Sequence, residues 1–277
     1  MLAITSDYAK STGCPEPYLR RIAEAGFSHV HWCHHWNRDF VYSMHEVEQI
    51  ASWLAGFGLQ LLDLHASQGR EKYWLSAREY ERLAGVELVK NRIEMAARLA
   101  SDVVTLHAPA APQAARKREA LWAQLRRSLD DLAPFAKAHS VRIAVENMAG
   151  DVEYWALIQG LFAEYGPEYL GLCYDSGHGN IAKTGLDHLE TLKGRLISVH
   201  LHDNDGKSDQ HRLPFSGTVD WGRLTRIIAE SAYTRCLSLE VGMRQSGIGG
   251  ADAFLAKAFE TGMALAGMVN RPAPAAR

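Results

Sequence analysis

Metal-binding side chains recur along this chain at the ends of short apolar runs. Carboxylates and imidazoles in such positions would be buried, and each of them would need a partner. A divalent metal ion can serve several of them at once. The pattern therefore predicts a metal centre with these candidate ligands: His65 in LLDLHA, His107 in VVTLHA, Glu146 in RIAVEN, Asp175 and His178 in YDSGH, His200 in LISVHLHD, and Glu240 in LSLEVG.

Two of these candidates, Glu146 and Glu240, are carboxylates that could bind one ion from opposite sides. One of them could then remove a proton next to a carbonyl group while the other returns it, which is the chemistry of enolisation. For each glutamate alone, a salt bridge at a strand end is the alternative. We favour proton transfer, because a salt bridge leaves the other metal-binding side chains unexplained.

Two short motifs bring further pairs together. Asp175 and His178 belong to D-S-G-H, where we expect the chain to turn at Gly177 so that both side chains point inward. His200 and His202 are two residues apart on one predicted strand and therefore face the same way. We expect one of them to bind the metal, while the other is an interior histidine or a substrate contact.

Two less regular segments add candidates. Asp209 and His211 form D-Q-H in the long loop NDGKSDQHRLPFSGTV, and they could close a further metal site or be solvated loop residues. Trp36 and Arg38 lie in HWCHHWNRDF and could form a wall against an apolar or sugar-like ring. The tryptophans of this segment could instead pack on the first two helices.

The elements that must position these residues alternate regularly. Each apolar run of strand length is followed by an amphipathic stretch of helix length, which is typical of buried parallel strands. Eight such units favour a single (β/α)8 TIM barrel, whose strands meet at one catalytic face through their C-terminal ends. No glycine-rich phosphate-binding motif follows the first strand. The predicted strands are 2–6, 28–34, 59–66, 102–108, 141–147, 169–175, 195–203 and 235–242.

Length and charge restrict the class of protein. The 277 residues include 30 Lys and Arg against 32 Asp and Glu, and we predict one barrel over 1–270 with a short Pro/Ala-rich tail over 271–277. A net charge of −2 argues against nucleic acid as a partner, because phosphate contacts need a basic surface. Without a membrane span or signal peptide, we expect a cytoplasmic protein with no membrane partner.

The cysteines predict neither a disulfide nor a cysteine-based zinc site. They lack CxxC spacing, and three of them lie in predicted strands. We expect buried structural thiols. The four are Cys14, Cys33, Cys173 and Cys236.

The motifs together resemble the xylose isomerase-like TIM-barrel superfamily, which includes sugar isomerases and epimerases, inosose-processing enzymes and endonuclease IV. The resemblance covers nearly the whole chain, and its most specific parts are VEN at Glu146, YDSGH at 174–178 and VHLHDNDGKSDQHRLPFSGTVDW at 199–221. In the isomerase and epimerase branch, Glu, Asp, His and Glu hold one Mn²⁺-type ion. The resemblance implies this role for Glu146, Asp175, His200 and Glu240, with His200 preferred because it begins the family form H-L-x-D.

The endonuclease IV branch implies a different metal content. It holds three zinc ions with additional His and Asp ligands, and the resemblance assigns His65, His107, His178, Asp209 and His211 to similar positions. Two segments depart from that branch, since the loop reads LPFSG instead of a G-x-G-like turn and HWCHHWN does not resemble its DNA-penetrating loops. The loop also departs from the GEGxIDW form that is common in the isomerases.

We therefore expect a metal-dependent isomerase or epimerase of a small sugar, sugar phosphate or related polyhydroxy carbonyl compound. Zinc or manganese is the expected cofactor, and Glu146 and Glu240 are the expected proton-transfer groups. A multinuclear zinc phosphoesterase of the endonuclease IV type is the alternative. A binding protein with a structural metal ranks last, because structural zinc sites are usually closed sets of Cys and His. The sequence is compatible with a homo-oligomer and leaves the substrate and the number of ions open.

Overall fold

The computed structural model describes residues 1–36, 41–66, 74–107, 109 and 114–270. Within these residues, eight parallel strands form one sheet that curves into a nearly closed barrel, which confirms the predicted (β/α)8 fold. The strands are β1 Leu2–Thr5, β2 His29–Trp32, β3 Gln60–His65, β4 Val103–His107, β5 Arg142–Glu146, β6 Leu170–Asp175, β7 Leu196–His200 and β8 Leu237–Leu239.

The strands follow one another around the barrel in their sequence order, and β1 pairs with both β2 and β8. The ring closes between β7 and β8, where Leu201 and Leu239 form a parallel bridge. At this seam Leu201 N donates to Ser238 O at 2.9 Å, and Glu240 N donates to Leu201 O at 3.1 Å. The carboxyl ends of all eight strands therefore surround one opening.

Nine helices surround the sheet in the described part of the chain, one more than predicted. The additional helix, Ser176–Ala182, begins directly after β6, where the sequence predicted a turn at Gly177. None of the described helices is both long and apolar enough to cross a membrane. The helices are α1 Glu16–Glu24, α2 Met44–Phe57, α3 Glu79–Arg98, α4 Ala115–Ala138, α5 Val152–Glu164, α6 Ser176–Ala182, α7 Gly185–Leu192, α8 Trp221–Ala229 and α9 Ala251–Val269.

Capping residues account for several helix boundaries. Ser43 and Glu46 form a capping box at the start of α2, and Gly58 ends this helix in the left-handed conformation with φ of 70°. Asp151 and Asp220 accept hydrogen bonds at the starts of α5 and α8. Since α2 ends at 57 and β3 begins at 60, a short connection returns the chain to the sheet.

The strands bury two kinds of side chain. Aliphatic residues such as Ile4 and Leu172 belong to the hydrophobic core that the sheet forms with the helices. Asp63, Glu146 and His200 lie on strands as well and are equally buried, each at most 1% exposed. Because isolated buried charges are costly, these polar groups must stabilise one another or a bound ion.

Candidate active site

Glu146 lies at the centre of a group of imidazoles at the barrel mouth. It ends β5, and its Oε2 lies 3.2 Å from His200 Nδ1, 3.4 Å from His107 Nε2 and 3.5 Å from His65 Nε2. Its Oε1 lies 3.5 Å from His178 Nδ1. Four side chains that the sequence singled out therefore contact one carboxylate from β3, β4, β7 and α6.

Glu240 faces the same group from the other side of the opening. It directly follows β8, and its Oε2 lies 3.1 Å from His200 Nδ1. Its Oε1 lies 3.5 Å from His65 Nε2. One donor atom each from His65, Glu146, His200 and Glu240 lies within 4.8 Å of the others, so the two glutamates converge as predicted from their strand ends.

Asp175 both belongs to the site and starts a helix. Its Oδ1 accepts a hydrogen bond from His178 N at 2.6 Å, which caps α6, so that D-S-G-H is a helix start and not a turn. Asn147, the last residue of VEN, holds the aspartate through its backbone, since Asp175 N donates to Asn147 Oδ1 at 2.9 Å. The Asn147 carbonyl oxygen also lies 2.9 Å from His178 Nδ1. Asn147 therefore positions both members of the motif.

Gly177 is needed for close packing against His202. A Cβ atom at Gly177 would lie 2.0 Å from Cε1 of that imidazole. The glycine has no positive φ among the described backbone outliers, so the contact and not the backbone conformation explains it. The expected turn at this residue is thus replaced by a helix whose first turn contacts the next strand end.

Gly177→Ala is expected to lower the free energy of unfolding by about 1–3 kcal/mol, the usual cost of overpacking. It should also displace His202, which urea unfolding and metal affinity would detect together. Gly56→Ala in α2 is the matched control, because a Cβ there meets nothing within 4 Å. This control should stabilise the protein by about 0.5–1 kcal/mol. Equal effects of the two variants would contradict the packing role.

His202, and not His200, is the histidine beside Asp175. Its Nε2 lies 3.0 Å from Asp175 Oδ2 and 3.6 Å from Asp209 Oδ1. Its ring stacks on that of His211 with centroids 4.1 Å apart. His200 is opposite Asp175 in the strand register, but its Nδ1 lies against Glu146 and Glu240.

The long loop after β7 brings Asp209 and His211 to the site. Asp209 Oδ2 lies 3.1 Å from His211 Nε2 and 3.4 Å from His178 Nε2. His211 has a φ of 45°, and its Nδ1 lies 2.8 Å from the Glu240 carbonyl oxygen. Asp203 closes the base of this loop by accepting from Trp221 Nε1 at 2.8 Å. The DQH side chains therefore lie against His178 and the residue that follows β8, and a role in metal binding stays a prediction.

A polar pair below these residues was missed by the sequence reasoning. Asp63 Oδ1 lies 2.8 Å from His31 Nδ1, and Asp63 Oδ2 accepts a hydrogen bond from the Ser198 hydroxyl. The His31 and His200 ring centroids are 4.4 Å apart. The signal was present in LLDLH, because Asp63 is two residues before His65 and shares its face of the strand.

Ionised Asp63 should stabilise the metal-free protein in a pH-dependent manner. Burial alone would raise the pKa of Asp63, but His31 and Ser198 outweigh burial and lower this pKa to about 2. This contribution is fully present above the unfolded pKa of about 3.9 and is lost as the pH falls toward the folded pKa. Asp63→Asn should therefore lower the unfolding free energy by about 2 kcal/mol at neutral pH. Urea unfolding at several pH values would test this, and a difference that stays constant below pH about 4 would contradict it.

The charged groups at the mouth strongly influence one another's pKa values. Burial raises the pKa of Glu146 and of Glu240, but the surrounding imidazoles outweigh burial and lower both well below the ordinary value. For His178, burial lowers the pKa, whereas Asp175, Asp209 and Glu146 raise it to about 12. The two glutamates are therefore ionised, and the carboxylates of the site stabilise positive charge on the His178 imidazole.

Several other expectations have different outcomes. Trp36 packs on Trp53 of α2 with ring centroids 4.9 Å apart, and its role as a wall for substrate stays a prediction. Arg38 and the tail 271–277 lie outside the described residues. Cys14 is exposed, Cys33 and Cys236 are partly exposed, and only Cys173 is buried. The expectation of buried thiols is therefore wrong for Cys14, which lies in the loop after β1.

Comparison with known proteins identifies the family. The family model for the xylose isomerase-like TIM barrel matches residues 19–263. The chain therefore belongs to this family, as its motifs predicted. An uncharacterised protein of Sinorhizobium fredii, y4fM, is 36% identical over 249 residues, which cover 81% of this chain and 80% of that protein.

Solved structures share the fold at low sequence identity. A D-tagatose 3-epimerase-like protein superimposes with a TM-score of 0.78 at 20% identity, covering 97% of this chain and 98% of that one. D-psicose 3-epimerase, solved in the presence of D-fructose, gives 0.75 at 18% identity with the same coverage. The IolI protein with a bound zinc atom gives 0.72 at 14% identity, covering 97% of each chain. Sugar epimerases are thus among the structural neighbours of this barrel.

Proposed function

We propose that the protein is a metal-dependent isomerase or epimerase of a small sugar, sugar phosphate or related polyhydroxy carbonyl compound. The observation that carries this proposal is the pair of buried carboxylates, Glu146 and Glu240, each 3.5 Å from His65 Nε2 on opposite sides of the opening. Two carboxylates in this arrangement can exchange a proton with the two faces of one carbon. The sugar epimerases among the structural neighbours agree with this chemistry.

We assign the metal to Glu146, Asp175, His202 and Glu240, with His202 in the role that the sequence gave to His200. Asp175 lies 3.0 Å from His202, and His202 shares a donor cluster with Glu240. Glu240 shares a cluster with Glu146, and Glu146 shares another with Asp175, in each case within 4.8 Å. These contacts form a ring over the ends of β5 to β8, in which His202 supplies the contact with Asp175 and His200 contacts the two glutamates.

The donor atoms fit a divalent ion. Oε2 of Glu146 and Oε2 of Glu240 are buried and have no hydrogen-bond partner among the described residues, and Nε2 of His202 faces Asp175. Three carboxylates and one imidazole suit zinc or manganese. When bound, such an ion would polarise the carbonyl and an adjacent hydroxyl of the substrate, making the neighbouring C–H more acidic.

The two glutamates and His107 would prepare the proton transfer. Glu146 and Glu240 are ionised because the imidazoles lower their pKa, so each can accept a proton. His107 has a side chain that is 34% exposed at the mouth and lies 3.4 Å from Glu146. It can therefore donate a hydrogen bond to a substrate oxygen and hold the substrate against this carboxylate.

The test begins with elemental analysis of protein purified without added metal. Protein loaded with the metals found would then be incubated in deuterated water with a panel of ketoses and ketose phosphates. Deuterium incorporation next to the carbonyl detects proton transfer even where net conversion is small. A fully loaded protein that incorporates no deuterium into any member of the panel would count against the proposal.

A second candidate function is phosphodiester hydrolysis by a multinuclear zinc site. The observation that favours it is the surplus of donors around the four-residue ring, including His65 and His107 on one side and the triad His178, Asp209 and His211 on the other. These exceed the coordination capacity of one ion. Neighbouring zinc ions could stabilise the charge that develops on a phosphoryl group.

Metal content and one substrate separate the two candidates. The hydrolase predicts three zinc ions and cleavage of an activated phosphodiester such as bis-p-nitrophenyl phosphate. This cleavage should be lost in Asp209→Asn and kept in Asp205→Asn, because Asp205 is an exposed residue of the same loop that accepts local backbone hydrogen bonds. Three ions with such cleavage would replace the isomerase proposal.

A further inference from the structure

We propose a separate divalent-metal site formed by His31, Cys33, His65 and Glu240, on the β2 and β3 side of the barrel. Each residue offers one ligand atom, and the four atoms lie within 4.8 Å of one another. Two imidazoles, a thiolate and a carboxylate suit zinc, a borderline-soft ion that accepts four such ligands in a tetrahedron. This site goes beyond the proposed function and shares only Glu240 with its metal ligands.

His31 is the residue whose geometry points to a ligand. It is completely buried, and its Nδ1 lies 2.8 Å from Asp63 Oδ1. Asp63 is held in turn by the Ser198 hydroxyl. Among the described residues, His31 Nε2 has no hydrogen-bond partner. Zinc-binding histidines are commonly held in this way, with one ring nitrogen on a carboxylate and the other free for the metal.

Glu240 can serve both metal sites because its two oxygens face different neighbours. Its Oε1 lies 3.5 Å from His65 Nε2, whereas its Oε2 lies 3.1 Å from His200 Nδ1. The His65 ring is also close to His31, with centroids 5.0 Å apart. Oε1 is therefore available to an ion shared with His65, while Oε2 remains for the ion that we assign to Glu146 and His202.

Cys33 directly follows β2, and its backbone is fixed because Cys33 N donates to Ser6 Oγ at 2.9 Å. Zinc binding would form a bond from the ion to Sγ and release the thiol proton to solvent. The sulfur is also the feature that distinguishes this site from the Glu146, Asp175, His202 and Glu240 ring. A spectroscopic probe that detects metal–sulfur bonds can therefore observe the new site separately.

The experiment titrates metal-free protein with Co²⁺. The wild type should develop a thiolate-to-cobalt charge-transfer band in the near ultraviolet, in proportion to one class of bound ion. Cys33→Ser should lose the band and bind one ion fewer than the wild type. Cys236→Ser replaces a cysteine of similar exposure and should keep the band and the number of bound ions. Asp63→Asn should keep the band at saturation, but it should lower the affinity of the site for Co²⁺ by about 10–100-fold.

Three outcomes would overturn the proposal. The first is a loaded wild-type protein without a thiolate band, a result that does not require any variant to fold. The second is a band that persists in correctly folded Cys33→Ser. The third is an additional ion that depends on His107 and not on Cys33, which would assign His65 to the multinuclear arrangement. Failure of this proposal can be distinguished from failure of the proposed function. The Glu146, Asp175, His202 and Glu240 site contains no sulfur, and its activity is measured by deuterium incorporation.

Discussion

Glu146→Gln and Glu240→Gln are each expected to lower turnover of the true substrate by about 10²–10⁴-fold, the usual contribution of a general acid or base. Glutamine keeps the shape of the side chain but cannot accept the substrate proton, and it is a weaker metal ligand. The two glutamates face His65 and His200 from opposite sides, so neither can replace the other. Turnover and deuterium incorporation, measured with equal metal loading, would quantify both losses.

Glu153→Gln is the matched control for these two variants. Glu153 lies on α5 with a 46% exposed side chain and pairs with Arg118 at 3.6 Å, outside the donor clusters at the barrel mouth. This variant should retain wild-type turnover. Wild-type turnover in Glu146→Gln or Glu240→Gln would contradict the acid–base role of that glutamate.

His202→Gln is expected to lower the affinity for the catalytic ion. The loss should exceed the roughly 10–100-fold that is typical when a residue that only supports a ligand is replaced. The reason is that His202 completes the ring with Asp175 and Glu240. His200→Gln should have a smaller effect on affinity, because His200 Nδ1 contacts the two glutamates whereas His202 Nε2 contacts Asp175. Isothermal titration of both metal-free variants with Mn²⁺ would measure the difference.

The reverse order of affinities would restore the assignment made from the sequence. If His200→Gln loses the ion and His202→Gln retains it, His200 is the ligand and the family form H-L-x-D identifies it correctly. Circular dichroism would confirm that both variants fold. Gly177→Ala adds an independent measure, because it disturbs His202 through the helix before it.

The fold was predictable because the strand signal is local. Every predicted strand corresponds to a strand of the barrel, and the structure shortens each of them by at least one residue. The seventh was predicted over 195–203 but is Leu196–His200, so His202 lies beyond its end. Apolar residues that are buried on both faces produce such a pattern without information on distant contacts.

The depth of each side chain in the barrel was not predictable in the same way. His200 and His202 share a face, but their heights relative to Asp175 depend on the tilt and stagger of neighbouring strands. The structure puts His200 beside His31 in the interior and His202 beside Asp175 at the mouth. No local pattern contains this information, because it arises from the closure of the whole sheet.

Residues that act through a partner were also difficult to recognise. Asp63 and His31 belong to adjacent strands that the sequence separates by a helix, and each alone resembles an ordinary strand residue. Trp36 was expected either to bind substrate or to pack on a helix, and the structure adds its contact with Trp53 of α2. Contacts of this kind join separate segments, so no local pattern predicts them.

Metal binding should slow local opening of the barrel at the seam between β7 and β8. Leu201 and Leu239 bridge this seam, and His202 and Glu240 directly follow them. An ion held by both residues would act as a reversible cross-link at the joint between the seventh and eighth strands. The amides of Leu201 and Glu240, which form the hydrogen bonds of the seam, would then exchange with deuterated water more slowly once the ion binds. Opening of the barrel and release of the metal would be one event.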